Sequence, residues 1–353
     1  MQELITKLND QQELNAQDIH KAVADLLNPE ISDHAKAQFL RILHTRGETA
    51  REIAGFVQEL LAHAVDPLLR QEDVSGPLLD VCGTGGDKLH LFNISTTSMF
   101  ILSAGGAVVV KHGNRGITSK CGGADVLEAL GIVIDLPPAA FRDCVRQAGI
   151  GFLFAPLYHP AFKAIAPVRK QLAQEGQPTI FNLLGPLLNP VQPEYQLVGV
   201  FNPTSLPKFP EIFQLLGRRH AWAVHGTTPE GFGMDEISTL HHTSLAILRD
   251  GKISHSSIIP SQFGFPQPSL TELQGNTAET NADILVSILD GSLQGPKRDI
   301  TLLNAAAGFV ITEISPTIED GLALAQSLIT SGKAIEKLHQ FQKVSQSLRV
   351  PVN

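Results

Sequence analysis

Cysteine is scarce in this chain: Cys82, Cys121 and Cys144 are the only three among 353 residues. An odd number without C-x-x-C spacing excludes a disulfide framework and a thiolate zinc site, and suits a reducing compartment. Long hydrophobic runs are missing too. No apolar stretch reaches the ~18–20 residues that cross a bilayer. Met1-Gln2-Glu3 does not begin a basic segment followed by an apolar one, so a cytoplasmic location is expected. Basic charge is in deficit, with 27 Lys and Arg against 35 Asp and Glu, a formal net charge of −8. That balance disfavours a duplex-binding surface and a nucleic-acid partner. With 43% hydrophobic and 18% charged residues, the chain has the composition of a folded protein of one large or two ordinary domains.

The first 65 or so residues carry apolar positions at helical spacing. Ile19, Ala22, Val23, Leu26 and Leu27 form one stripe. Phe39, Leu40 and Leu43 form a second after a cap at Ser32 or Asp33, and Ile53, Phe56, Val57, Leu60 and Leu61 a third after Thr49. From residue 77 short apolar runs alternate with helical segments. The runs Leu78–Cys82, Ala107–Val110, Ile132–Ile134, Gly151–Phe154, Gln196–Val200 and Ala221–Val224 read as strands. Ala124–Leu130, Ala139–Ala148 and Ala161–Gln174 read as helices. The alternation predicts an α/β fold with a mainly parallel central sheet covered by helices. Ala246–Leu248, Asp250-Gly251 and Ile253 predict an antiparallel hairpin, and the chain from Thr280 onward reads as helical. No internal repeat or long linker separates these parts.

Four segments carry chemistry. Asp80-Val81-Cys82-Gly83-Thr84-Gly85-Gly86-Asp87 leaves a strand with three glycines, which can turn backbone N–H groups toward an anion. Asn93-Ile94-Ser95-Thr96 then opens a helix whose free N–H groups attract negative charge. The loop is neither an NTPase phosphate loop nor G-x-G-x-x-G. The segment from Lys111 to Gly123 gathers three cations, one imidazole, two hydroxyls and four glycines after a strand, where open α/β sheets bind ligands. Met234-Asp235-Glu236-Ile237-Ser238 places two adjacent carboxylates between apolar residues; the pair suits Mg²⁺ with substrate phosphates, or a solvated loop. Tyr158-His159-Pro160 and Arg169 offer an aromatic ring, an imidazole and a guanidinium, equally a carboxylate clamp or a helix cap and a surface cation.

Taken in order, Gly83-Thr84-Gly85-Gly86-Asp87, Asn93-Ile94-Ser95-Thr96, Lys111-His112-Gly113-Asn114-Arg115, Ala124–Gly131, Phe154–Pro160, Phe181–Leu187 and Met234–Ser238 resemble the anthranilate phosphoribosyltransferases over residues 10 to 340. The resemblance implies a small helical domain over residues 1–70, with a helical contribution from about 160–190, and a large α/β domain over 71–353. It also implies a homodimer and Mg²⁺-dependent transfer of phosphoribose from 5-phosphoribosyl 1-diphosphate to anthranilate. Gly83, Gly86, Asp87, Asn93, Ser95, Thr96, Lys111, His112, Gly113, Asn114, Arg115, Ser119 and Gly123 would contact the phosphoribosyl diphosphate. Gly83, Asn114 and Arg169 would contact anthranilate, and Ser95, Asp235 and Glu236 the metal. No general base is implied, because the anthranilate amine is neutral at pH 7.

The chain departs from the family at Lys88, usually Gly, and at Leu91, usually a phosphate-contacting Thr, so that contact is not carried over. His90, Gly116 and Cys121 are unusual, and Leu172–Thr179 is about three residues longer and lacks an Arg. Two other functions fit parts of the pattern. Gly86-Asp87-Lys88 is similar to the loop of pyrimidine nucleoside phosphorylases, and a non-catalytic nucleic-acid-binding relative would keep the fold alone. Asp235-Glu236, Asn114 and Arg169 oppose the first, and the −8 charge opposes the second.

Overall fold

The structure, a computed structural model, describes residues 1–116 and 121–349. The chain begins with four helices, α1 (Gln2–Asn9), α2 (Ala16–Leu27), α3 (Asp33–Arg46) and α4 (Ala50–Leu61). Their starts are chemically marked. Asn15 with Asp18 and Thr49 with Glu52 form reciprocal capping boxes, and Ser32 accepts from Ala35 N–H. All three apolar stripes are buried, apart from half-buried Leu27 and Leu61 at their ends.

Glu52 does more than cap. It is fully buried, accepts from Leu14 N–H at 2.8 Å and Thr49 N–H at 2.9 Å, and pairs with Arg46. One carboxylate therefore ties the α1–α2 loop and the end of α3 to the start of α4. Glu52→Ala leaves the Arg46 guanidinium, only 6% exposed, without its anion. Chemical denaturation is expected to read a loss of about 3–5 kcal/mol.

Among the described residues the body is built on eight strands: β1 (Leu78–Gly83), β2 (Val108–Gly113), β3 (Ile150–Phe154), β4 (Tyr195–Gly199), β5 (His220–Thr227), β6 (Gly233–Met234), β7 (Thr243–Arg249) and β8 (Lys252–Ile258). Their order is β3-β2-β1-β4-β5-β7-β8, with β6 beside β5. The first five named pair in parallel, and β6, β7 and β8 add on antiparallel. Asp250-Gly251 joins β7 to β8 with φ of 46° and 75°, the two positive values of a tight hairpin turn.

Successive strand residues point to opposite faces, and both faces are covered. On one side Leu197 and Trp222 join a core built with α5 (Ile94–Ala104), α6 (Gly123–Ala129), α7 (Pro138–Ala148) and the C-terminal helices. On the other side Val198, Ala221 and Ala223 join a second core with the four N-terminal helices. That core also takes in Ile165, Val168 and Leu172, from α9 (Ala166–Gln174) and the residue before it. It includes Phe181 and Leu184 of α10 (Phe181–Leu184) and Phe209 and Phe213 of α11 (Phe209–Leu215). The short α8 (Ala155–Tyr158) and α12 (Leu270–Leu273) lie in connections, and α13 (Ala278–Leu289), α14 (Pro296–Ile311), α15 (Ile318–Thr330) and α16 (Lys333–Ser347) complete the helical cover.

Two local readings are corrected. Ile132–Ile134 is not a strand: Ile132 N–H returns to Leu127 O and Val133 N–H to the Ser345 hydroxyl, while Ile132 and Ile134 are buried as plain apolar filling. The helix read over Ala161–Gln174 is broken. A 3₁₀ turn at Pro160–Ala164 precedes α9, because Pro167 disfavours continuous helix before it and fits the first turn of a new one.

Candidate active site

The carboxyl ends of β1, β4 and β5 are unusually bare. β1 and β4 end at Gly83 and Gly199, which face each other in register, and Gly226 lies near the end of β5. The segment carrying Asp235 and Glu236 lies directly on these glycines. A Cβ at Gly199 would stand 1.6 Å from the Asp235 carbonyl oxygen, and one at Gly226 would stand 2.4 Å from the Glu236 carbonyl oxygen. A Cβ at Gly83 would meet the Asp235 carboxylate at 2.2 Å. The missing side chains thus make the floor on which the acidic pair rests. The signal for Gly199 and Gly226 was a glycine closing each strand run, and sequence reasoning passed over it.

The strand order reverses beside β1, since β2 and β3 lie to one side and β4 and β5 to the other; ligands of open sheets bind at such a point. The crevice is widened further. The paired register of β1 and β2 ends at Leu79↔Val109. Beyond it, side chains replace the ladder: Asp80 accepts from His112 N–H at 3.2 Å, and Asn189 donates to Val110 O at 2.7 Å. Buried Lys111 reaches across to Val81 O and to the Ser95 hydroxyl, 3.1 Å away. Burial holds the Asp80 carboxyl above its usual range, although hydrogen bonds from Asn189 and His112 N–H and the charges of Lys111 and Arg218 pull it down.

The acidic pair spans the crevice. Asp235 accepts from Gly85 N–H at 2.7 Å, and Glu236 from Ser95 N–H at 3.3 Å, in the first turn of α5. Both carboxyls lie well above the ordinary carboxylate range. Desolvation comes first for each; then Asp87 raises Asp235, and Asp235 raises Glu236. Desolvation also raises Asp87. Asp87 and Asp235 share a hydrogen bond, and three acids crowded together in this way ionise fully only when a cation offsets their charges. Among the described residues no three His, Cys, Asp or Glu side chains converge into a closed cage. Two carboxylates with room for phosphate oxygens and water fit Mg²⁺ rather than a tightly caged metal.

From Lys111 a line of rings leads to Arg169. His112 packs edge-on against His159 at 5.2 Å, His159 lies 5.2 Å from Phe162, and Phe162 lies 5.9 Å from Phe181. The Arg169 guanidinium stacks over Phe181 at 4.8 Å. Burial depresses both imidazoles, His112 to about 3 and His159 to about 4, so both are neutral at physiological pH. His159 donates from Nε2 to Leu188 O; its buried Nδ1, like Nε2 of His112, has no partner among the described residues. Burial lowers Arg169 too, and the ion pairs among the described residues give it no carboxylate partner. A half-buried, unpaired guanidinium on an aromatic face is suited to a carboxylate attached to a ring. Phe162 and Phe181 were not read as site residues, because aromatics at helical spacing look like core.

The remaining candidates are distributed as follows. Asn93 caps α5, but its side chain donates to Cys121 O and accepts from Asn281. Thr96 is buried at the same helix start, and a Cβ on Gly123 would lie 3.0 Å from its hydroxyl, so α5 and α6 meet there only because of that glycine. Gly113 ends β2, followed by exposed Asn114. Arg115 is less free than its place in a basic loop suggests: it is held by Glu128 and lies over Phe154 at 5.4 Å. Ser119 lies outside the described residues. Gly85 and Gly86 have φ of 70° and 98°, and the Gly85 N–H already meets an anion, the Asp235 carboxylate. Lys88 and His90 follow them in the same left-handed region, at 55° and 57°.

Family models match nearly the whole chain: a glycosyl transferase family helical bundle domain over residues 2–64, and a glycosyl transferase family a/b domain over residues 75–335. The anthranilate phosphoribosyltransferase of Mesorhizobium japonicum is 45% identical, covering 87% of each chain. The crystal structure of anthranilate phosphoribosyltransferase from Thermus thermophilus superposes with a TM-score of 0.88 at 35% identity, over 97% of this chain and 99% of that one. The enzyme from Saccharomyces cerevisiae, in complex with PRPP (5-phosphoribosyl 1-diphosphate) and Mg, matches with a TM-score of 0.86 at 26% identity, over 98% and 97%.

Proposed function

The chain belongs to the anthranilate phosphoribosyltransferases of the glycosyl transferase family, and from that premise we propose how its residues divide the work. The reaction transfers the 5-phosphoribosyl group from 5-phosphoribosyl 1-diphosphate to anthranilate, giving N-(5-phosphoribosyl)anthranilate and pyrophosphate in tryptophan biosynthesis. The observation that carries the assignment of roles is the acidic pair lying against two sets of anion-binding N–H groups.

The N–H groups of the Gly83–Asp87 loop and of the first turn of α5 receive the diphosphate, with Lys111 adding positive charge from the crevice wall. Asp235 and Glu236, with the Ser95 hydroxyl, hold Mg²⁺. When bound, Mg²⁺ neutralises the charge that gathers on the departing diphosphate. The two carboxylates accept from Gly85 and Ser95 N–H, donors that the diphosphate would also use. Lys111 through Arg115, with Gly123, line the phosphoribosyl group.

Arg169 holds the anthranilate carboxylate, and Asn114 and Gly83 bound the ring. The neutral amine attacks the anomeric carbon with inversion and loses its proton to solvent, so positioning replaces a general base. Arg169→Ala is expected to raise KM for anthranilate about tenfold to hundredfold in steady-state kinetics, with KM for the diphosphate substrate little changed. By the same likeness we propose a homodimer through the small helical domain, residues 1–70 with 160–190, and a cytoplasmic location; the shared apolar core of Leu40, Phe56, Val168 and Phe181 supports that grouping.

The role assignment is tested by calorimetric titration of pyrophosphate into wild type and the D235N/E236Q variant. Without divalent cation the variant is expected to bind more tightly, having lost the repelling charge. With Mg²⁺ the order is expected to reverse. A variant weaker than wild type under both conditions would remove the pair from the diphosphate site.

A further inference from the structure

On the loop that returns from the acidic pair to β7, three donor atoms face one another. Thr227 Oγ1, at the end of β5, stands 3.1 Å from His241 Nδ1 and 3.2 Å from His242 Nδ1, and the two Nδ1 atoms are 3.0 Å apart. The two rings meet edge-on with centroids 4.9 Å apart, and all three residues are accessible to solvent. Whatever the tautomers, at least one edge of this triangle stays without a proton. The Thr227 hydroxyl has one hydrogen, which the His242 carbonyl oxygen at 2.9 Å also accepts. If both imidazoles carry their proton on Nε2, two lone pairs point at each other. If one proton moves to Nδ1, one edge is filled and the others compete for it.

A cation satisfies all three at once. Neighbouring donors around an octahedral ion with bonds of about 2.1 Å lie about 3.0 Å apart, which is the size of this triangle. Tetrahedral donors lie farther apart, about 3.4 Å. We propose that Thr227, His241 and His242 form one face of a binding site for a borderline divalent transition metal that accepts right-angle coordination, Ni²⁺ or Cu²⁺, with solvent filling the open positions. Imidazole nitrogen selects such ions, whereas Mg²⁺ prefers oxygen, so the site is chemically distinct from Asp235 and Glu236.

Its position gives it a consequence. The Ser238 hydroxyl donates to Thr227 O at 2.8 Å, and Ser238 N–H to the Thr243 hydroxyl at 2.9 Å. The loop is thus already stitched to β5 and β7 immediately after the acidic pair. A metal across Thr227, His241 and His242 adds a clamp from the end of β5 to the start of β7, and stiffens the segment that carries both carboxylates.

The experiment is calorimetric titration of the full chain with Ni²⁺ in excess Mg²⁺, together with the visible absorption of bound Ni²⁺. Wild type is expected to take one Ni²⁺ per chain at about micromolar affinity, with a weak octahedral spectrum. H241A/H242A is expected to lose affinity at least about a hundredfold, and T227V about tenfold, while D235N/E236Q binds as wild type does. Metal-free thermal denaturation identifies any variant that is misfolded, and the single variants H241Q and H242Q then carry the test. Absence of saturable one-to-one binding, or equal binding by wild type and the histidine variants, would overturn the site. Undiminished affinity in T227V would overturn the hydroxyl as third donor.

Discussion

D235N/E236Q is expected to lower kcat/KM for the phosphoribosyl transfer by about a thousandfold or more, with the protein still folded. Asn and Gln keep the volume of the two side chains and can still meet the surrounding N–H groups, so the fold loses little. Relief of the mutual repulsion among Asp87, Asp235 and Glu236 works in favour of folding. What disappears is the pair of anionic oxygens that holds a hard cation. Departure of the diphosphate concentrates negative charge, and unshielded charge at a leaving group costs several kcal/mol, each 1.4 kcal/mol or so being a factor of ten. The loss should fall on kcat as well as KM, because the cation matters most when the bond breaks. Turnover within a few-fold of wild type would remove the pair from the chemistry.

Gly199→Ala is expected to cost about a hundredfold in kcat/KM without touching any ligand-binding side chain. Its Cβ would lie 1.6 Å from the Asp235 carbonyl oxygen, 2.2 Å from the carbonyl carbon and 2.9 Å from the Asp235 Cα. These are backbone atoms, so no rotamer change relieves the clash; the loop must lift by an ångström or more. Misplacement of that size is enough for a hundredfold loss in rate. Overpacking adds about 1–3 kcal/mol of destabilisation, read by chemical denaturation. Gly83→Ala is the control. Its Cβ would meet the Asp235 carboxylate itself, and that flexible end can swing away, so stability should change less while the orientation of Asp235 changes more. Equal behaviour of G199A and wild type would contradict the close seating of the acidic segment on the strand ends.

Much of this was legible in the residues. Helical stripes such as Ile53, Phe56, Val57 and Leu60 fix their face by spacing, and the capping residues Thr49 and Glu52 stand where the helix starts. Strand runs in a sheet covered on both faces are continuous and apolar, which is why β1, β2, β4 and β5 could be read. Ile132–Ile134 was misread for the same reason: burial alone produces such a run, and only a partner strand makes it a strand. The Gly83–Asp87 loop and the Asp235-Glu236 pair carry their chemistry in composition. Their meeting does not, since about 150 residues separate Gly85 from Asp235 and the contact follows from strand order.

The same holds for partnerships. Arg115 in a basic loop reads as free charge, and its tie to Glu128 arises only because α6 folds back over the loop. The net charge of −8 says nothing of the crevice, where Lys111 and inward N–H groups set the local potential. The triangle of Thr227, His241 and His242 is invisible in sequence for a further reason. Adjacent side chains usually diverge, and here a turn brings both nitrogens onto one hydroxyl.

The most direct test follows the fluorescence of anthranilate in a mixture of purified protein, 5-phosphoribosyl 1-diphosphate and Mg²⁺. The expected result is a decay that requires all three components and releases one pyrophosphate for each anthranilate consumed. Persistent fluorescence, with Mg²⁺ and both substrates present and the protein folded, would contradict the account.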